Sequence, residues 1–341
     1  MNVPEKRLYH SFPRVRPDDS DDRIIKVGLE ILQSIRQIGL VLAPEIIVWK
    51  QALENGQDRT TSVRQSRICF TELSRDQLEE HGKTFGPFSL EFRVDALRQL
   101  GALPVIYVPQ RLKEDRRFST VGETIVTEIG DIKYTINQLH QLSQLTDPNY
   151  LLTKIAPGAT HVADDCSLTL QNTDTANKVI ASYQVPLKHI KDILSYIGYR
   201  NAPFDLMIGV LSHVQSLFYP TDDEIHDKQL EYYRQREWRL VAGFALEGKP
   251  QSRPLTDFEK HSLLSIDNKF WSKEVSDGNA SIGRVNDACV IDRFEGKRIT
   301  EAISAVVVPT EAYDEAKGVF GEKVLIAGSV EQSRNNAVAG L

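Results

Sequence analysis

The stretch "EYYRQREWRL", residues 231 to 240, sets one carboxylate, Glu237, between Arg236 and Arg239 and against Trp238. In a strand, alternate side chains point to opposite faces, so Trp238, Leu240 and Ala242 share one face while Glu237, Arg239 and Val241 share the other. A carboxylate in that position is either the salt-bridged partner of its neighbours or a working acid at a sheet surface. The other polar residues set among apolar, strand-like runs are His10, Thr71, Glu72, His81 and Arg93. An imidazole can exchange a proton near neutral pH, and a guanidinium can hold a phosphate. A carboxylate is worth most beside developing positive charge in a dry, preorganised site. Each residue also has a structural reading: His10 as a core or edge histidine, Thr71 with Glu72 as a strand end, His81 as a cation closing a short helix, Arg93 with Glu91 as a surface pair, and Arg239 with Glu237 as a structural ion pair. An early His and a late Glu share one site only if the sheet brings its ends together.

The elements that must position these residues are readable in outline. "RLYHSF" alternates as a strand, and "RPDDSDD" supplies an acidic helix start. Apolar residues at Ile24, Val27, Ile31, Ile35 and Ile38 predict one buried stripe of a helix that Gly39 closes. "LVLAPEIIVWK" reads as an extended edge and "QALENGQDRTTS" as a mobile loop. "RICFTEL" is a strand, and Ser74 with Gln77 has capping-box spacing for the helix after it. In "FGPFSLEFR", Phe88, Leu90 and Phe92 point to the core, leaving Ser89, Glu91 and Arg93 opposite. "LGALPVIYVP" is a further strand. "TINQLHQLSQL" and "VPLKHIKDILSYIG" are helices, and "FDLMIGVLSHVQSLF", apolar on most faces, reads as a buried one. "ISAVVVP" is a buried strand followed by a helix, "EAYDEAKGVF". Strands and helices do not alternate throughout, which favours an α+β fold with a mixed, mainly antiparallel sheet. The expected organisation is a single domain over residues 1–330, with 247–300 as a peripheral insertion and 331–341 as a flexible tail.

A chain of 341 residues with 41% hydrophobic and 26% charged residues has the composition of a globular protein. No apolar run approaches the ~20 residues of a membrane helix, and the N-terminus has no apolar core for a signal peptide, so the cytoplasm is expected. Cys69, Cys166 and Cys289 lie far apart without CxxC spacing, against a disulfide framework or a structural zinc site. A net charge of −6 offers nucleic acid no global attraction. Arg64, Arg67, Arg111, Lys113, Arg116 and Arg117 are the candidates for a local basic stripe, the last four reading better as a solvated loop surface. Phosphate-loop, dinucleotide-fingerprint, HExxH and GxSxG motifs are missing, and no metal is expected.

The run "RICFTELSRDQLEEHGKTFGPFSLEFRVDALRQLGALPVIYVP", with "LYHSF" upstream and "REWRL" and "ISAVVVP" downstream, resembles the AbiGi-type family of bacterial abortive phage-infection proteins. That resemblance covers most of the chain in order and implies phage defence, or control of a defence toxin, without implying a reaction. The layout of a first-strand His, central "FTEL" and "FSLEFR" strands, a late Glu strand and "ISAVVVP" is more distantly similar to ADP-ribosyltransferases. This second resemblance implies NAD as cofactor and a macromolecular target, nucleic acid or protein. Glu237 and His10 would be catalytic, His10 at the nicotinamide ribose and Glu237 at the oxocarbenium-like sugar. Arg93 would hold a phosphate, and Thr71 and Arg239 would complete the cofactor-binding set. The alternative is a non-catalytic antitoxin or regulatory binding module in which Glu237 and Arg239 brace the sheet.

Overall fold

The computed structural model describes residues 7–52, 58–109, 121–155, 157, 166–173, 177–196, 204–221, 236–243, 245–246, 249–276 and 281–327. The basic residues Arg111, Lys113, Arg116 and Arg117 and the expected tail lie outside them.

The expected first strand is β1 (Arg7–Phe12), and helix α1 (Asp21–Gln37) follows. Ser20 caps α1 by accepting a hydrogen bond from the Arg23 amide, and Asp21 and Asp22 complement the dipole of its first turn. The buried face of α1 runs through Ile24, Gly28, Leu29, Leu32 and Ile35, leaving Val27 and Ile31 half-buried. Gly28 rotates the stripe away from the expected one: a Cβ there would stand 2.2 Å from the Phe88 ring, so the helix lies against the sheet through its backbone. Gly39, at φ +121°, turns the chain into β2 (Leu40–Ala52), and a Cβ on it would meet the Ile291 carbonyl at 2.4 Å.

β2 and β3 (Asp58–Leu73) form a long antiparallel ladder from Ala43↔Arg67 to Ala52↔Asp58. The expected mobile loop is therefore largely strand; of it, residues 53–57 lie outside the description. The Ser74–Gln77 capping box forms and leads into α2 (Leu78–Phe85), β4 (Phe88–Arg93) and α3 (Val94–Gln99). The next expected strand is two pieces, β5 (Leu103–Pro104) and β6 (Ile106–Pro109).

Helix α4 (Val121–Gln144), the hairpin of β7 (Ser167–Thr173) and β8 (Val179–Pro186), and helices α5 (Leu187–Tyr196) and α6 (Phe204–Leu217) follow. Then come β9 (Phe218–Thr221), β10 (Glu237–Val241), β11 (Arg253–Pro254), α7 (Asp257–Ile266), β12 (Cys289–Ile291), β13 (Ile303–Val308), α8 (Tyr313–Phe320) and β14 (Val324–Ile326).

The main sheet has ten strands, in the order β11-β12-β2-β3-β1-β4-β13-β14, with β10 paired to β3 and β5. It is antiparallel except for β13 with β14, so the mixed, mainly antiparallel α+β architecture stands. One face carries the main core, built from Leu8, Phe12, Phe70, Phe88, Leu90, Phe92 and Leu240 of the sheet with Leu29, Leu32 and Ile35 of α1. β12 pairs with the first three residues of β2, Leu40 to Leu42, and β3 with the rest, Ala43 to Ala52.

By contact the chain forms two compact units, 1–124 with 216–341 and 125–215, where the sequence reading placed one. Within 247–300, expected to be a peripheral insertion, β11 and β12 extend one end of the main sheet. Leu255, Leu263, Val285, Ala288 and Val290 of this segment share a core with Ile38. The unit 125–215 has its own core of Ile136, Ile190, Leu194 and Phe204. Helix α6, expected to be buried, seats Phe204 in that core but exposes Met207, Val210 and Val214 at i, i+3 and i+7. No helix among the described residues is long and apolar enough to cross a membrane.

Candidate functional site

β10 lies against β3 with Glu237 opposite Thr71 and Arg239 opposite Cys69. Trp238 and Leu240 join the main core, so strand alternation sends Glu237 and Arg239 to the other face, as expected. There Glu237 Oε1 accepts a hydrogen bond from Arg239 Nε at 2.8 Å, and Oε2 accepts one from the Tyr107 hydroxyl. The parallel pair β6 and β9 brings in Tyr107 and Tyr219, which face each other in register. The Arg239 guanidinium stacks 4.3 Å from the Tyr219 ring centroid and Arg67 lies 5.0 Å from it, itself ion-paired with Glu45. Arg239 is 1% exposed and its Nη1 has no hydrogen-bond partner, so the aromatic ring supplies part of the stabilisation that water would give a free cation.

Burial opposes ionisation of Glu237. The Arg239 charge, hydrogen bonds from Tyr107 and Arg239, and the Arg67 charge outweigh it, and the carboxyl lies below its ordinary range. Burial and the Glu237 charge together push the Tyr107 hydroxyl up. The neighbouring Cys69 thiol is pushed up to about 12, chiefly by burial, so it is protonated at neutral pH and a poor nucleophile. Arg236, at the head of the strand, is directed instead to Glu72 at 2.9 Å.

His10 does not reach this cluster. It alternates with Tyr9 along β1 and falls on the core face, 5.8 Å from the Phe12 ring and 5.9 Å from Phe70. Its Nδ1 lies 2.9 Å from the Cys69 carbonyl, which can only accept, so Nδ1 carries the proton. Burial lowers its pKa, and the ring is neutral. Arg93 is also apart: it is 60% exposed, 3.6 Å from Asp95, on a strand separated from β10 by β3 and β1. Three strand spacings make that separation about 14 Å. The sheet therefore groups Glu237, Arg239 and Thr71, and leaves His10 and Arg93 elsewhere.

A second polar network was missed by sequence reasoning. Glu91, 1% exposed, is no surface partner of Arg93. Its carboxylate accepts hydrogen bonds from Tyr9 Oη at 2.8 Å, Arg75 Nε at 2.7 Å and Arg75 Nη2 at 3.0 Å, with Arg7 Nε 3.7 Å away. Burial would raise its pKa, but the Arg75 and Tyr9 bonds hold it below the ordinary range. The available signal was parity: Glu91 sits on the strand face opposite three fully buried apolar residues, and Tyr9 on the corresponding face of the neighbouring strand. His81 is similarly reassigned. It stacks on Phe85 at 4.4 Å, and burial lowers its pKa to about 4, so at neutral pH it is not the helix-closing cation expected.

Both oxygens of each carboxylate are thus engaged by internal donors, which favours bracing over proton transfer. Among the described residues no group of three or more His, Cys, Asp or Glu side chains could hold a metal ion. No protein-family model matches the chain, and neither a curated protein nor a solved structure matches it.

Proposed function

We propose that the protein is a cytoplasmic binding component of a phage-defence system, acting by engaging a macromolecular partner such as a cognate toxin, with no reaction on NAD. The defence context rests on the sequence resemblance carried by residues 67–109. The non-catalytic reading rests on one observation: both Glu237 oxygens are held by Arg239 and Tyr107 while His10 occupies the opposite face of the sheet. A carboxylate that stabilises a sugar cation needs an open approach and a partner holding the cofactor on its own side. Here that partner is turned into the apolar core.

Labelled NAD incubated with the purified protein, host nucleic acid and phage extract tests the reading. We expect no consumption by wild type, and unchanged co-purification of the neighbouring gene product with Glu237→Gln. Consumption by wild type that disappears in Glu237→Gln overturns the proposal and restores an ADP-ribosyltransferase.

A further inference from the structure

A groove of about 1030 Å³ opens where β4 begins and β13 ends, walled by α1 and α2. Its floor is apolar, formed by Ile25 and Leu29 of α1, Leu78 of α2 and Val307 of β13. Its rim is acidic: Asp21, Asp22 and Glu30 on α1, Glu79 on α2, and Glu311 and Glu315 around the start of α8. Two ammonium groups, Lys26 and Lys83, face those six carboxylates, and Lys83 is already engaged by Glu80. None of the six makes a salt bridge among the described residues; five of them, Asp21, Asp22, Glu79, Glu311 and Glu315, stand in helix first turns, where their charge also complements the helix dipole. The volume sits at the upper limit of small-molecule sites, which span about 300–1,000 Å³. An apolar floor with a one-signed rim is the form of a site that takes one face of an amphipathic helix.

We propose that this groove docks a cationic amphipathic helix of the partner protein, apolar residues on the floor and Lys or Arg side chains on the rim. The inference rests on the binding reading above and names its partner class. Charge complementarity selects this occupant: nucleic acid and acidic segments are repelled by the same carboxylates that attract a basic helix.

Fluorescence anisotropy with a labelled synthetic Lys/Leu peptide, its leucines at i, i+3, i+4 and i+7, tests the proposal. Expected are saturable binding to wild type, weakening as salt rises, and a loss of about tenfold or more in Glu311→Lys/Glu315→Lys. A scrambled Lys/Leu peptide and a Glu/Leu helix should bind far more weakly. Glu295→Lys/Glu322→Lys, which reverses two exposed charges that do not line the groove, should bind as wild type does. Circular dichroism of each variant confirms that the fold is kept. Equal affinity for the groove and control variants, or for the scrambled peptide, overturns the proposal, since attraction to net negative charge would then explain binding. Self-association that the groove variant abolishes and the peptide does not compete also overturns it, by making a second copy the occupant. These outcomes are separate from NAD consumption, which refutes the binding reading itself.

Discussion

Glu91 shows how a charge is kept inside this sheet. Its oxygens receive a two-point hydrogen bond from Arg75 and one bond from Tyr9, so the carboxylate loses water without losing donors. Replacing it by Gln leaves Arg75 with neutral acceptors; because Arg75 is 35% exposed, solvent takes up part of its charge. The expected loss is about 2–3 kcal/mol in urea unfolding, while Tyr9→Phe, which spares the two-point pair, should cost about 1 kcal/mol. Glu237 follows the same logic with Arg239 and Tyr107 as donors. The Arg239 partner of Glu237 could be read from strand alternation, whereas Arg75 and Tyr107 could not, because they come from a turn and a strand that the linear pattern does not connect to Glu91 and Glu237.

At the scale of elements, alternation and periodicity carried far. The inward direction of Phe88, Leu90, Phe92, Trp238 and Leu240 and the Ser74–Gln77 cap follow from local pattern alone. The pattern falls short where tertiary contact decides: the first three residues of β2 pair with β12, some 250 residues later, and the α1 stripe turned about Gly28 to meet Phe88. Parity also separates His10 from Glu237, once the register of β1 against β3 is known. Gly39 shows the cost of the α1–β2 junction, where a positive φ coincides with close approach to the β12 backbone. Gly39→Ala should therefore destabilise by more than about 1 kcal/mol, seen as a lower urea midpoint with an unchanged slope.

The whole molecule should lose stability in acid in two stages. His10 and His81 are held below their ordinary value of 6.5 by burial, His81 to about 4, so the unfolded chain binds these protons first and stability falls as pH drops from about 6.5 towards 4. Glu91, Glu237 and Glu259 have lowered folded pKa values, so their contribution is complete above about 4.5 and is lost as pH falls through the folded values. For Glu259 that value is about 2, set first by its hydrogen bonds from Arg253. In a series of melts, His81→Phe should flatten the upper stage, by up to ~1.4 kcal/mol per pH unit, and leave the lower one intact. The central claim, that the late acid braces the sheet, is tested most directly by a double-mutant cycle in urea with Glu237→Gln, Arg239→Met and both together. Glu237→Gln should cost roughly 3 kcal/mol, with much of that loss absent once Arg239 is also replaced. A Glu237→Gln protein as stable as wild type, with no coupling to Arg239, contradicts the account.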